Sequence, residues 1–294
     1  MLDYHIQTFL ALCRHKNYTR TARELHLTQP AVTRHIQQLE QAYGVPLVLR
    51  GGRELRLTPE GEALRRFAAA VDADARRMED KLAASRREAK RLHFGATLTI
   101  GEFVLPDILC RYRERYPDCE IRLEVENTAE LLRRLDAGVI DFALIEGYFD
   151  KGIYGHAPLS AERFLAVCGM GSPLTGKAPL PLEELCAQPI VVREPGSGTR
   201  EVLENLLHEH NLSLSDFRAV SEIGNFRTLK QLVAAGPGIT FAYAPAVQEE
   251  LAAGLLREIP LKGVRLTREF SFVWLKDSLF DGEREDFRRF CETT

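Results

Sequence analysis

The stretch from Tyr18 to Leu57 constrains this chain more than any other, because its helix, turn and strand signals fall in the order of a winged helix-turn-helix. Thr19 is a favourable N-cap for a short helix through Leu25, and His26-Leu27 form the turn. Thr28-Gln29-Pro30-Ala31 then opens a second helix with a hydroxyl cap and a first-turn proline, where a missing N–H costs nothing. The spacing carries that helix to Tyr43. Val32, Ile36 and Leu39 fall on one inward face, so Gln29, Thr33, Arg34 and Gln37 project outward with base-reading chemistry. After Gly44-Val45-Pro46, residues Leu47–Arg50 and Arg53–Leu57 read as two short strands around Gly51-Gly52. A lone arginine is usually a solvated charge, but Arg50, Arg53 and Arg56 on one wing suit the phosphates that flank a groove. Leu2, Ile6, Phe9, Leu10 and Cys13 supply the apolar stripe of a supporting first helix. Together they predict a grip on double-stranded DNA through Thr19, Arg20, Thr28, Gln29, Pro30, Ala31, Thr33, Arg34, Gln37, Arg50, Arg53 and Arg56.

The front of the chain resembles the DNA-binding module of the LysR-type transcriptional regulators. The likeness runs from Phe9 to Gly61 and rests on Tyr18-Thr19-Arg20-Thr21-Ala22, Leu25-His26-Leu27-Thr28-Gln29-Pro30-Ala31-Val32-Thr33, Leu39-Glu40, Gly44-Val45-Pro46-Leu47 and Leu57-Thr58-Pro59-Glu60-Gly61. Val48 stands where the family usually has phenylalanine, and Thr21 where it has a second alanine.

Charge divides the chain. Residues 1–91 hold 17 Lys+Arg against 11 Asp+Glu, whereas residues 92–294 hold 22 against 31, which fits a DNA-binding module joined to a domain that must not bind DNA. No apolar run is long enough for a membrane span. Asp3, His5, Gln7, Arg14 and His15 interrupt any secretion-signal layout, so a cytoplasmic chain with no membrane partner is expected. Cys13, Cys110, Cys119, Cys168, Cys186 and Cys291 form no C-x-x-C pair and mostly sit inside apolar patterns, which predicts buried thiols rather than a disulfide scaffold or zinc site.

Thr58-Pro59-Glu60-Gly61-Glu62 starts a long polar helix reaching about Arg91. Leu64, Val71, Met78 and Ser85 alternate with Ala68, Ala75, Leu82 and Ala89 as a heptad seam, so a dimerising linker is expected. Beyond it, strand candidates at Leu92–Gly95, Ile121–Val125, Phe142–Ile145, Phe164–Val167, Ile190–Val192, Ile239–Ala242 and Glu269–Trp274 alternate with helices at Leu105–Tyr116, Thr128–Ala137, Thr199–His208 and Phe226–Ala235. Alternation of this kind predicts parallel α/β architecture. The family resemblance implies two such lobes, joined by crossovers near residues 162 and 267 as in type 2 periplasmic binding proteins, and it implies tetramers. The expected division is a DNA-binding domain at 1–58, a linker helix at 59–91, one lobe at 92–162 with 267–294, and a second at 163–266.

Ligands of open α/β sheets sit at carboxyl strand ends and helix N-termini. That directs attention to Thr97, Thr99, Asn127, Thr128, Glu146, Glu194, Gly196, Ser197, Gly198, Thr199, Arg200 and Asn225. The Gly196–Arg200 loop offers amides, two hydroxyls and a cation to a small oxyanion or carboxylate, although helix capping explains several of these residues equally well. Glu146 and Glu194 either accept hydrogens from a protonated ligand or balance Arg193 and Arg200. Gly171–Lys177 resembles a phosphate-binding loop, but Ala178 lacks the metal-binding hydroxyl; Ser197 lacks a nucleophile elbow; His208 and His210 read as exposed polar residues. No cofactor is expected and no enzyme. A transcription regulator switched by a small anion, with DNA, itself and RNA polymerase as partners, accounts for the whole chain. A stand-alone solute-binding protein accounts only for its back half.

Overall fold

In the computed structural model, residues 3–49, 55–83, 90–174, 176, 179–264, 266–276 and 282–292 are described. Two compact units result. One comprises Met1–Ala89, Arg133–Asp141 and Leu275–Gly282; the other comprises Lys90–Leu132, Phe142–Trp274 and Glu283–Thr294.

The first unit begins with α1 (Tyr4–His15), α2 (Tyr18–Glu24) and α3 (Gln29–Tyr43), whose inward residues Ile6, Phe9, Leu10, Leu12, Ile36 and Leu39 form one core. The cap of α2 differs from expectation. Asn17, not Thr19, is the N-cap, because its Oδ1 accepts the Arg20 amide at 3.0 Å while Thr19 lies inside the first turn. Thr28 caps α3 by accepting the Ala31 amide at 3.3 Å, and Gly44 ends the helix at φ 70°. The strands β1 (Val48–Leu49) and β2 (Arg56–Leu57) pair antiparallel; Arg50 and Arg53 lie outside the described residues.

Thr58 starts α4 (Pro59–Ala83) by accepting the Gly61 amide at 2.9 Å. The expected seam divides. Leu64 and Ala68 pack into the core of their own unit, and Ala69, Ala70 and Ala73 are also buried. Arg65 reaches Asp136 at 2.9 Å, and a side chain at Gly138 would meet the Ala73 methyl. On α4, Phe67 is 56% exposed and Met78 45% exposed, with Val71 and Ala75 half-buried. The Leu82 side chain, Ser85 and Ala89 lie outside the described residues.

The second unit is built on a nine-stranded sheet. Its first half runs β3 (Arg91–Ala96), α5 (Leu98–Phe103), α6 (Leu105–Arg115), β4 (Glu120–Val125), α7 (Thr128–Asp136), whose residues from Arg133 on belong to the first unit, and β5 (Phe142–Ile145). After the long β6 (Tyr154–Gly169) comes a second half: β7 (Pro189–Val192), α8 (Gly198–Glu209), β8 (Ala219–Glu222), α9 (Phe226–Ala235) and β9 (Ile239–Tyr243). Then follow α10 (Ala244–Ala252), β10 (Leu256–Glu258), β11 (Leu266–Leu275) and α11 (Gly282–Glu292). The order β4-β3-β5-β11-β6-β9-β7-β8 places β3 between parallel neighbours in one half and β7 between parallel neighbours in the other. The sheet is not parallel throughout, as the alternation predicted. β11 runs antiparallel to β5, and β6 antiparallel to β9 and β10, because these long strands carry the chain between the halves.

Apolar strand residues close the core on the helices. Phe94 stacks on Phe142 with centroids 4.9 Å apart, and Phe287 of α11 packs on Phe94 at 5.2 Å. The cysteines correct another expectation: Cys168 is buried, Cys110 is exposed and the other four are half-buried, all six free. Burial pushes the Cys13 and Cys291 thiols up to about 12, so neither is a ready thiolate. No helix among the described residues is long and apolar enough to cross a membrane.

The cap assignment is testable. Asn17→Ala should destabilise the first unit by ~1 kcal/mol, the usual loss of an N-cap, while Thr19→Ala should change stability by less than ~0.5 kcal/mol. Urea titrations of the full chain, followed by far-ultraviolet circular dichroism, measure both.

Candidate nucleic-acid interface and ligand cleft

The recognition face is assembled by α2 and α3. Thr19, Arg20, Thr28, Gln29, Pro30, Arg34 and Gln37 are exposed, Ala31 and Thr33 are half-buried, and Arg56 is exposed on β2. Gln29 and Thr33 act as a pair: Gln29 Nε2 donates to Thr33 Oγ1 at 3.2 Å, and that hydroxyl donates to the Gln29 carbonyl at 3.1 Å. This ties the Gln29 side-chain amide at the start of α3 in one orientation, with Nε2 turned toward Thr33 and Oε1 on its other side. Glu24 accepts from Arg14 at 2.6 Å and bonds His15, which fixes α2 on α1 beneath the face.

Several of the residues singled out from sequence gather where both halves of the sheet reverse strand order, the position at which open α/β sheets hold ligands. Thr97 follows β3, Glu146 follows β5 and Thr199 sits in the first turn of α8. Their side chains meet. Thr99 Oγ1 donates to Glu146 Oε1 at 2.7 Å, Thr199 Oγ1 donates to the same oxygen at 2.8 Å, and Thr97 Oγ1 donates to Oε2 at 3.0 Å. Thr128 Oγ1 donates to the Glu146 carbonyl at 3.2 Å. Small residues allow the approach. A Cβ on Gly147 would lie 2.8 Å from Gly198 Cα, and one on Gly198 would lie 2.3 Å from the Glu146 carbonyl oxygen. The Ala129 amide donates to the Gly196 carbonyl at 3.3 Å, so the two halves also touch through backbone.

Glu146 is 1% exposed. Burial raises its carboxyl above the ordinary range, and the hydroxyls of Thr99, Thr199 and Thr97 and the more distant Arg193 only partly oppose that shift. Arg193 is itself held elsewhere: its guanidinium lies 4.4 Å over the Phe226 ring and donates to both Glu194 oxygens, at 2.9 and 3.0 Å.

The residues singled out from sequence therefore separate. Thr97, Thr99, Thr128, Glu146, Gly198 and Thr199 converge, with Gly196 beside Asn127. Ser197 is the N-cap residue of α8 and buried, but its side chain makes no capping bond. Asn127 accepts the Glu130 amide at 3.0 Å and Asn225 accepts the Thr228 amide at 3.0 Å, which are helix-start roles. Glu194 balances Arg193. Arg200, expected to face an anion, donates to Glu204 at 2.8 Å, to Glu222 at 2.7 Å and to the Arg193 carbonyl at 3.1 Å, so its charge is already answered. Glu146 balances neither arginine directly.

Sequence reasoning missed Tyr243 and Arg268. Tyr243 ends β9 and is fully buried, and Arg268, on β11, donates through Nη2 to the Tyr148 hydroxyl at 2.7 Å. A tyrosine at a carboxyl strand end, just before Ala244-Pro245, was the available signal. His210 Nδ1 bonds the Leu206 carbonyl at 2.9 Å, and no group of acidic, histidine and cysteine side chains among the described residues is placed to hold a metal ion. Thr175, Lys177 and Ala178 lie outside the described residues.

Comparison with known proteins finds one family for both parts of the chain. The family "Bacterial regulatory helix-turn-helix protein, lysR family" matches residues 4–62, and "LysR substrate binding domain" matches residues 85–294. The chain is 28% identical to the RuBisCO operon transcriptional regulator of Allochromatium vinosum, over 97% of this chain and 93% of that one. It is 29% identical to the uncharacterized HTH-type transcriptional regulator YeiE of Escherichia coli K12, over 98% and 96%. Among solved structures, a cysteine mutant of Corynebacterium glutamicum OxyR superposes with a TM-score of 0.63 at 25% identity, covering 99% of this chain and 90% of that one.

Glu146 gives a signed expectation for stability. Its folded-state pKa is raised above the ordinary 4.5, so the fold binds the proton more tightly than the unfolded chain does. Stability from this group is present below that value and is lost as pH rises through the raised folded pKa. Glu146→Gln should therefore flatten the stability profile across that window and melt above wild type on its alkaline side. Thermal melts over a pH series would show otherwise if the two profiles ran parallel.

Proposed function

Because the chain belongs to the LysR family of bacterial transcriptional regulators, we propose that it reads a specific duplex DNA sequence and is switched by a small anion bound in the cleft around Thr97, Thr99, Thr128 and Thr199. The observation that carries the switch is convergence. Hydroxyls from both halves of the sheet gather on the buried Glu146 carboxylate, so a ligand bound beside that junction would contact both halves and bias their relative arrangement by its differential affinity. Residues 1–58 are then the DNA reader, 59–91 the linker, 92–162 with 267–294 the first lobe and 163–266 the second. Self-association through the exposed apolar side chains of α4, first as a dimer and then as a tetramer, would place two readers on neighbouring half-sites. RNA polymerase is the further partner and the cytoplasm the compartment that this reading assigns.

On the DNA face, Gln29 reads bases and Arg56, with Arg50 and Arg53, contacts phosphates. Gln29→Ala should weaken binding to the operator by ~1–3 kcal/mol and leave binding to random duplex almost unchanged. Arg56→Ala should weaken both equally and reduce the salt slope by roughly one. Fluorescence anisotropy on operator and scrambled duplexes across a salt series tests the pair. Equal losses of Gln29→Ala on the two duplexes would take that residue out of base reading.

A further inference from the structure

The wing of the first unit is too small to place itself. Among the described residues two pairs, Val48 with Leu57 and Leu49 with Arg56, join β1 to β2, and an isolated two-stranded hairpin is marginal at best in water. Its position is set at its base. Glu40, half-buried in the last turn of α3, accepts the backbone amides of Leu47 and Val48 on one carboxylate oxygen, Oε1, at 2.9 and 3.2 Å. From the start of α4, Thr58 Oγ1 donates to the Pro46 carbonyl at 2.7 Å, and the Thr58 amide donates to the Leu47 carbonyl at 3.1 Å. Gly61 permits the close approach, since a Cβ there would lie 2.1 Å from the Leu47 carbonyl oxygen. Residues 46–48 are thus held by the end of α3 and the start of α4 together. The buried Leu47 and Val48 side chains add adhesion to the core of the unit, but adhesion of that kind has no direction, and the amide bonds do.

Glu40 stands on the same helix as Gln29, roughly 16 Å along an axis that rises about 1.5 Å per residue. Val48, whose amide Glu40 holds, is followed by Leu49, which pairs with Arg56. Arg56 is therefore placed relative to Gln29 through one rigid helix and one carboxylate oxygen, and bonds to a charged acceptor are stronger than bonds between neutral groups. We propose that Glu40 is a positioning residue for DNA binding, fixing the wing on α3 so that Arg56 meets a phosphate while Gln29 lies in the groove. The role rests on the reading that Arg56 contacts phosphate and Gln29 contacts bases. A negative charge in a unit that binds the phosphate backbone is electrostatically unfavourable. Glu40 serves as an acceptor rather than as a charge, and a glutamine oxygen can accept the same two amides.

Fluorescence anisotropy of the full chain tests the role, on a duplex that wild type selects from a random pool and on a scrambled duplex of the same composition, across a salt series. Glu40→Ala, and Glu40→Met, which keeps the length of the side chain without the acceptor, should each weaken binding to both duplexes about tenfold. Each should also lower the salt slope by roughly one, as Arg56→Ala does. Preference for the selected duplex should survive. Arg56→Ala added to Glu40→Met should cost less than about threefold more, because its contact is already lost, whereas Gln29→Ala should cost its full factor in either background. Glu40→Gln should bind no more than about twofold more weakly than wild type. The positioning role is overturned by any of three results: Arg56→Ala keeping its full cost beside Glu40→Met, Glu40→Gln binding as weakly as Glu40→Met, or both Glu40→Ala and Glu40→Met losing the preference for the selected duplex. Arg56→Ala without effect in wild type overturns the phosphate contact of the wing and the positioning role together.

Discussion

Three threonine hydroxyls hold the Glu146 carboxylate in the interior, with no direct ion pair among the described residues, and they come from both halves of the second unit. A buried carboxylate needs several donors, and no single strand end supplies them. Thr97 and Thr99 come from the turn after β3, Glu146 from the end of β5, and Thr199 from the first turn of α8 in the other half. The glycines follow from the same demand. Gly147 and Gly198 must lack side chains for the Thr199 hydroxyl to arrive, since a Cβ on either would collide with the opposite backbone. This link between the halves is polar and dependent on protonation, unlike the apolar contact of Phe103 with Phe226 that also joins them.

The first unit solves a simpler problem. Its three helices bury one small core and leave a polar face on α3, whose Gln29 is held by Thr33. Because α4 contributes Leu64, Ala68 and Ala69 to that core, its N-terminal half is committed to the unit. Among the described residues of α4, Phe67, on the turn that carries Leu64 and Ala68, and Met78, further along, are exposed apolar side chains.

Local chemistry was legible in the sequence wherever cause and effect lie within about one helical turn. Thr28 with Pro30, Thr58 with Gly61 and the glycine at position 44 mark helix ends by short-range rules, and the structure has helix ends there. Asn17 escaped only because Thr19 offered a rival cap two residues on. Strands β8 and β10 and helix α5 were missed for a different reason. β8 is exposed along its length and shows no alternation, and α5 is a short helix rich in β-branched residues and containing glycine. The cleft was legible as a list of strand-end residues but not as a circuit. The bonds to Glu146 from Thr99 and Thr199 span 47 and 53 positions, so nothing near Glu146 announces that the hydroxyls are already in use. Arg200 was the reverse case: its i,i+4 relation to Glu204 is readable in sequence and removes it as a free cation.

If the Glu146 carboxylate is the tie between the halves, disturbing it from one side must be felt on the other. Amide hydrogen exchange on Thr199→Val, which replaces one donor with a methyl of similar size, measures this directly. The account predicts faster exchange not only at the start of α8 but also in the segments carrying Thr97–Phe103 and Glu146-Gly147, with the remaining core unchanged. Faster exchange confined to α8 would contradict it, and would leave Glu146 as a residue satisfied within its own half.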